Sequence, residues 1–209
     1  MARLVTLLLL LGCLLGIPAE AYAQSPDVDA VLRKIQERVA TIETISSSFT
    51  QTKHLSMFDG DLVSTGKFLF GKPDRLRWEY LTPMVSGFAL DGKKGLSWEG
   101  TTGTRKEFSL RSDPVMGVVA KQLLAWASFD LEQLSQQYSI ELAGDAPTAL
   151  KLTPKSNVVR NFLTDLVIEF SQSEDTLKQI ELHEKGGDFT RIIFENTVVN
   201  GPISEKLFR

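Results

Sequence analysis

The sequence predicts a mainly β fold of α+β type: a curved antiparallel sheet forming an open half-barrel, covered by amphipathic lid helices around a hydrophobic cavity. Three observations predict it. Short segments of period-two alternation follow one another with only turns between them, the pattern of an antiparallel meander. Helical periodicity occurs at the start and in the middle of the chain, not between successive strands, which argues against an α/β order. Residues 62–80 carry an aromatic face and a charged face, and the aromatic one must lie against something.

The amino terminus reads as an export signal. Arg3 supplies the positive charge, Leu4 to Ile17 is an apolar run too short to span a bilayer comfortably, and Ala21-Tyr22-Ala23 is a small-residue cleavage site. The expected organisation is a cleaved signal over residues 1–23 and one domain over residues 24–209. The one cysteine, Cys13, lies within the signal in a Leu-Leu-Gly-Cys context that allows an alternative, lipid-modified start. If cleavage follows Ala23, the mature chain has no thiol chemistry and no disulfide.

Ser25-Pro26-Asp27 reads as a helix start, with Ser25 as the N-cap. Val28, Val31, Leu32, Ile35, Val39, Ile42 and Ile45 then recur at helical spacing, with Arg33, Lys34, Glu37 and Arg38 largely opposite. The first strand is expected from Phe49 and Gln51, with Ser46 to Ser48 as the junction. Leu62 to Phe70 is the second, placing Gly66, Phe68 and Phe70 on one face. Gly71 to Asp74 turns the chain, and Leu76, Trp78 and Tyr80 share one face of the third strand.

Met84 to Leu90, Leu96 to Trp98 and Lys106 to Leu110 continue the meander. Asp113-Pro114 starts a helix that is apolar over a wide arc, through Met116, Val119, Leu123 and Trp126. Asp130 with Gln133 caps a shorter helix. Residues 139–142, 149–153, 162–170, 177–184 and 189–199 alternate as strands, with turns at Gly144 to Pro147, Ser171 to Thr176 and Lys185 to Asp188.

Composition excludes several functions. A net charge of −3 with basic and acidic residues interleaved gives no nucleic-acid surface. The two histidines, His54 and His183, stand apart, and no Asp/Glu/His cluster has metal-ligand spacing. Asp59-Gly60-Asp61 lacks the remainder of a calcium loop. There is no nucleophile elbow and no glycine-rich phosphate loop, so no enzyme, metal or cofactor is expected. Binding rests instead on aromatics. Phe68, Phe70, Leu76, Trp78, Tyr80, Phe88 and Trp98 lie on strands expected to pair, and they form either ordinary core or the lining of a cavity. The expected lid residues are Val31, Ile35 and Val39 of the first helix and Met116, Val119 and Leu123 of the second. If the cavity stands open, a carboxylate at Trp78 is hydrated and the chain still folds; if Trp78 is packed core, it does not.

An ordered set of short motifs runs through the chain: Phe49-x-Gln51, Ser64-x-Gly66-x-Phe68-x-Phe70, Lys72-Pro73-Asp74-x-Leu76-x-Trp78, Pro83, Leu90-Asp91-Gly92 and Leu150 to Lys155. In that order it resembles the LolA family, periplasmic carriers of outer-membrane lipoproteins. The resemblance implies a periplasmic monomer. It also implies acylated lipoproteins or other lipid as cargo, an inner-membrane releasing complex and an outer-membrane acceptor. Leu76 and Trp78 match cavity-facing positions. The family's arginine before the proline is Lys72 here, which keeps the charge but loses the planar fork. The His54 to Asp61 segment is more similar to LolA-like proteins found beside exporters and acyl-transfer genes, so a free or glycosylated lipid is the alternative cargo. An outer-membrane receptor would require a lipidated Cys13. LolA-like chains often continue further, so a last strand is expected beyond Arg209.

Overall fold

The computed structural model describes residues 27–100 and 105–209. The proposed signal, Cys13, Ser25 and Pro26 lie outside them. In order the elements are α1 (Val28–Ala40), β1 (Thr44–His54), β2 (Leu62–Gly71), β3 (Arg75–Thr82), β4 (Ser86–Asp91), β5 (Lys94–Glu99) and β6 (Arg105–Ser109). They continue with α2 (Pro114–Ala127), α3 (Leu131–Gln137), β7 (Tyr138–Asp145), β8 (Thr148–Pro154), β9 (Leu163–Phe170), β10 (Leu177–Glu184) and β11 (Phe189–Val199).

The strands form one 11-stranded antiparallel sheet in the order β6-β5-β4-β3-β2-β1-β11-β10-β9-β8-β7. It is two meanders, β1 to β6 and β7 to β11, fused where β1 pairs with β11. The sheet does not close: β6 and β7 are its edge strands, and α2 and α3 carry the chain from one to the other. Its inner face is apolar over most of its length: Ile45 and Phe49, Phe68 and Phe70, Leu76 and Trp78, Leu166 and Ile168, Leu150 and Leu152 are all buried. Leu32, Ile35 and Val39 of α1 and Ala120 and Trp126 of α2 belong to the same core.

Two local expectations are corrected. The first helix ends at Ala40 rather than running on to Ile45, and β1 begins at Thr44, so that the Ser46 to Ser48 stretch expected to be a junction lies inside the strand. Asn200 makes that corner. Its Oδ1 accepts from the Glu43 and Thr44 amides at 2.7 and 3.4 Å, and its Nδ2 donates to the Thr41 carbonyl at 3.1 Å. The cap of α1 is Asp27 rather than the expected Ser25, and its side chain accepts from the Asp29 amide. The caps of α2 and α3 are as expected: Asp113 accepts from the Met116 amide and Asp130 from the Gln133 amide.

Candidate functional site

The aromatic residues fall into register rows across β2 to β5. Phe68 lies opposite Trp78, Trp78 opposite Phe88, and Phe88 opposite Ser97. One pair further along, Gly66, Tyr80, Ser86 and Glu99 make the next row. Trp78 is the hub of the inner face. Phe49 stacks on it at 4.3 Å, and Phe68, Tyr80 and Phe194 meet it edge-on within 6.3 Å. Gly66 is required for this arrangement, because a Cβ there would lie 2.3 Å from the Phe49 ring.

Two spaces flank the hub. One is a narrow space of about 30 Å³ between the sheet and helices α1 and α2, walled by Val39, Phe68, Trp126, Phe129 and Phe194. It has room for water but not for an acyl chain. The other is a recess of about 840 Å³, open to solvent, between α2 and strands β3 to β5. Its apolar wall includes Tyr80, Phe88, Met116 and Val119, and its polar rim includes Gln51, Glu99 and Lys106. Trp78 and Leu123 line both spaces, so these two side chains form the partition between them. Phe70 and Leu76 border neither and are solid core.

Trp98 is placed differently from the other aromatics. It pairs with Gly87, on the face that carries Arg77 and Glu79, and the Arg77 guanidinium lies 4.4 Å from its ring. It reaches the recess only at the border. The signal for this was present: the two-residue Gly92-Lys93 turn pairs Asp91 with Lys94, and counting back sets Phe88 against Ser97 rather than Trp98.

The two covering helices are held in unlike ways. The Glu174 carboxylate holds α1 from one side, with Lys34 at 2.6 Å and Arg38 at 3.8 Å. Lys72 holds it from the other. The Lys72 ammonium donates to the Ala40 carbonyl at 2.7 Å, at the negative end of the helix dipole. Lysine thus makes a sheet-to-helix bond without an arginine fork. By contrast, α2 carries one charged residue, Lys121. It meets its neighbours through apolar side chains and a hydrogen bond of 3.3 Å from the Tyr138 hydroxyl to Gln122. Gln122 Nε2 and Trp126 Nε1 are buried in α2 without a hydrogen-bond partner. Val119 is 39% exposed, so it borders the recess without closing it; Met116 and Leu123 pack against the core.

The opposite face of the sheet is polar. Asp165 and Glu181 accept from the two ring nitrogens of His183 at 2.7 and 2.9 Å, and Arg191 reaches Glu181 at 2.6 Å. Burial opposes charging of His183, but the bonds to both carboxylates prevail and raise its pKa. Among the described residues no group of three His, Cys, Asp or Glu side chains is arranged to hold a metal ion.

The sequence profile described as "Outer membrane lipoprotein carrier protein LolA" matches residues 40–209. The chain belongs to the LolA family. Two relatives named outer-membrane lipoprotein carrier protein align over this whole chain. One, from Pseudoalteromonas translucida, is 22% identical with 92% of its own length covered; the other, from Nitrosomonas europaea, is 24% identical with 94% covered. Among solved structures, a chain of the Pseudomonas aeruginosa MucA/MucB complex has the same fold. It aligns with a TM-score of 0.51 at 15% identity, over 88% of this chain and 60% of that one. A LolA superfamily protein from Nitrosomonas europaea aligns with a TM-score of 0.46 at 12% identity, over 88% of this chain and 98% of its own. For a LolA-family chain the recess and its partition are the feature of interest, since members of the family bind lipoproteins or lipid.

Proposed function

We propose that this chain is a periplasmic carrier that shields the acyl chains of lipoproteins in transit to the outer membrane. The observation that carries the reading is the partition: an open apolar recess adjoining a narrow inner space, with Leu123 of α2 and Trp78 lining both. Lifting α2 joins the two spaces along the aromatic face. Cargo enters at the recess and its chains displace the helix from the core.

The energetics favour a helix that moves. Each buried methylene contributes about 0.8 kcal/mol, so several acyl chains bound in a preformed cavity would not leave. Closure of α2 over the empty protein opposes cargo, because Met116, Leu123 and Trp126 must give up their own contacts. In the closed state Gln122 Nε2 and Trp126 Nε1 have no protein acceptor, and opening exposes both to solvent. Helix α1, fastened by Lys72 and Glu174, is the fixed part of the cover.

In this reading residues 1–23 are the removed export signal and residues 24–209 the carrier, working as a monomer without catalysis. It receives cargo from an inner-membrane releasing complex and passes it to an outer-membrane acceptor. The names of the two curated relatives support this assignment. A second reading, a carrier of another amphiphile, is favoured by one observation: the recess pairs its apolar wall with Glu99 and Lys106, groups suited to a polar head. The test is mass spectrometry of what co-purifies with the tagged protein from periplasm without detergent. Acylated lipoproteins in the complex support the first reading. A non-protein lipid alone overturns it in favour of the second.

A further inference from the structure

We propose that the loop between β8 and β9 docks the protein on an anionic lipid bilayer. Residues 155–162 read Lys-Ser-Asn-Val-Val-Arg-Asn-Phe, with two basic residues and no acidic one. Val158 and Phe162 stand out into solvent, 70% and 72% exposed, with Val159 beside them. Their exposure is built in, because the loop is tied into a turn. The Arg160 amide donates to the Ser156 carbonyl at 3.0 Å and the Phe162 amide to the Val159 carbonyl at 3.0 Å. The Phe162 carbonyl accepts from the Lys185 amide at 3.1 Å, which brings a third basic residue alongside.

Charge selects the occupant. Among the described residues Lys155, Arg160 and Lys185 form no ion pair. The neighbouring β1–β2 turn is equally apolar, with Met57 and Phe58 79% and 60% exposed, but it carries Asp59 and Asp61. Lys155 donates to the Ser135 carbonyl and Arg160 to Asn157, and Lys185 sits between Glu184 and Asp188 in its turn. Apolar side chains beside basic ones without ion pairs suit a bilayer interface, where Phe and Val enter the acyl boundary and Lys and Arg meet headgroup phosphates. The loop sits at the end of the sheet toward which the recess opens. There the end of β1 pairs with the start of β11, and the Ser56 amide bonds Asp188 at 2.7 Å. The loop lies five strands from β3 along the sheet, and bilayer binding itself does not rest on the cargo reading.

Vesicle flotation of the cargo-free protein tests the proposal. One set of vesicles is phosphatidylcholine and the other is phosphatidylcholine with phosphatidylglycerol. The protein is expected to float with the anionic vesicles, not with the neutral ones, and to be released by salt. Val158→Ser with Phe162→Ser should cut the bound fraction at least about tenfold. Arg160→Gln with Lys185→Gln should cut the vesicle partition coefficient about 25-fold, at about fivefold for each basic residue. All four positions are exposed, and circular dichroism confirms that the variants fold. No flotation of the parent protein, equal flotation on neutral vesicles, or unchanged flotation of both variants overturns the proposal. So does flotation that depends instead on Met57 and Phe58.

Discussion

Trp78→Glu is the sharpest test of how full the inner face is. Trp78 is 5% exposed and touches four aromatic rings. Truncating a buried tryptophan costs about 3–5 kcal/mol. The carboxylate that replaces it has one cation in its register row, Lys106, three strands away on the recess rim. It must either stay charged in the core or take up a proton against a pKa raised by about 3 units, which adds about 4 kcal/mol. The sum of about 7–9 kcal/mol is comparable with the whole stability of a domain. The variant should therefore fail to fold, giving no cooperative thermal or urea transition by circular dichroism. Val119→Glu is the matched control: the side chain faces the recess, 39% exposed, and water reaches the new charge. It should unfold within about 0.5 kcal/mol of the parent. A Trp78→Glu protein with a cooperative transition near the parent's would refute the packing argument and show that water reaches the hub.

Trp126→Phe removes a buried donor without a protein acceptor but also part of a packed side chain, so it should lower the melting temperature of the empty protein less than Trp126→Ala does. A drop as large as that of Trp126→Ala would contradict this. Lys72→Ala removes the bond to the Ala40 carbonyl and should cost about 0.5–1 kcal/mol, lowering the melting temperature by about 1–4 °C. Hydrogen exchange should quicken in α1 before any other element, and uniform quickening would argue against a local tether. For His183 the pKa is raised on folding, so its contribution is full below the unfolded value near 6.5 and is lost as pH rises through the folded value. His183→Gln should destabilise most under mildly acidic conditions, and the two denaturation midpoints should converge in alkaline buffer. A gap that widens with pH would contradict the assignment of both ring nitrogens to carboxylates. The effect is modest, because the side chain is 39% exposed.

Alternation and turn chemistry carried the architecture. Gly66, Phe68 and Phe70 on one face of β2, Leu76, Trp78 and Tyr80 on one face of β3, and the Asp113 and Asp130 caps are local properties, decided within a few residues. The sequence by itself determined which face of each strand is apolar and where most of the elements begin and end. The extent of α1 was beyond it, because Asn200 pulls Glu43 and Thr44 out of the helix from 157 and 156 residues away. So was the seam between β1 and β11, a pairing of distant segments that no local pattern encodes. The candidate site divides in the same way. The aromatic set was legible, but its division into core, partition and rim was decided in three dimensions, where the rings of Phe49 and Phe194 and the side chains of α2 fill the space over Trp78. Periodicity records which side of a strand avoids water. The room left between sheet and helices depends on how the layers pack, and only the tertiary structure decides that.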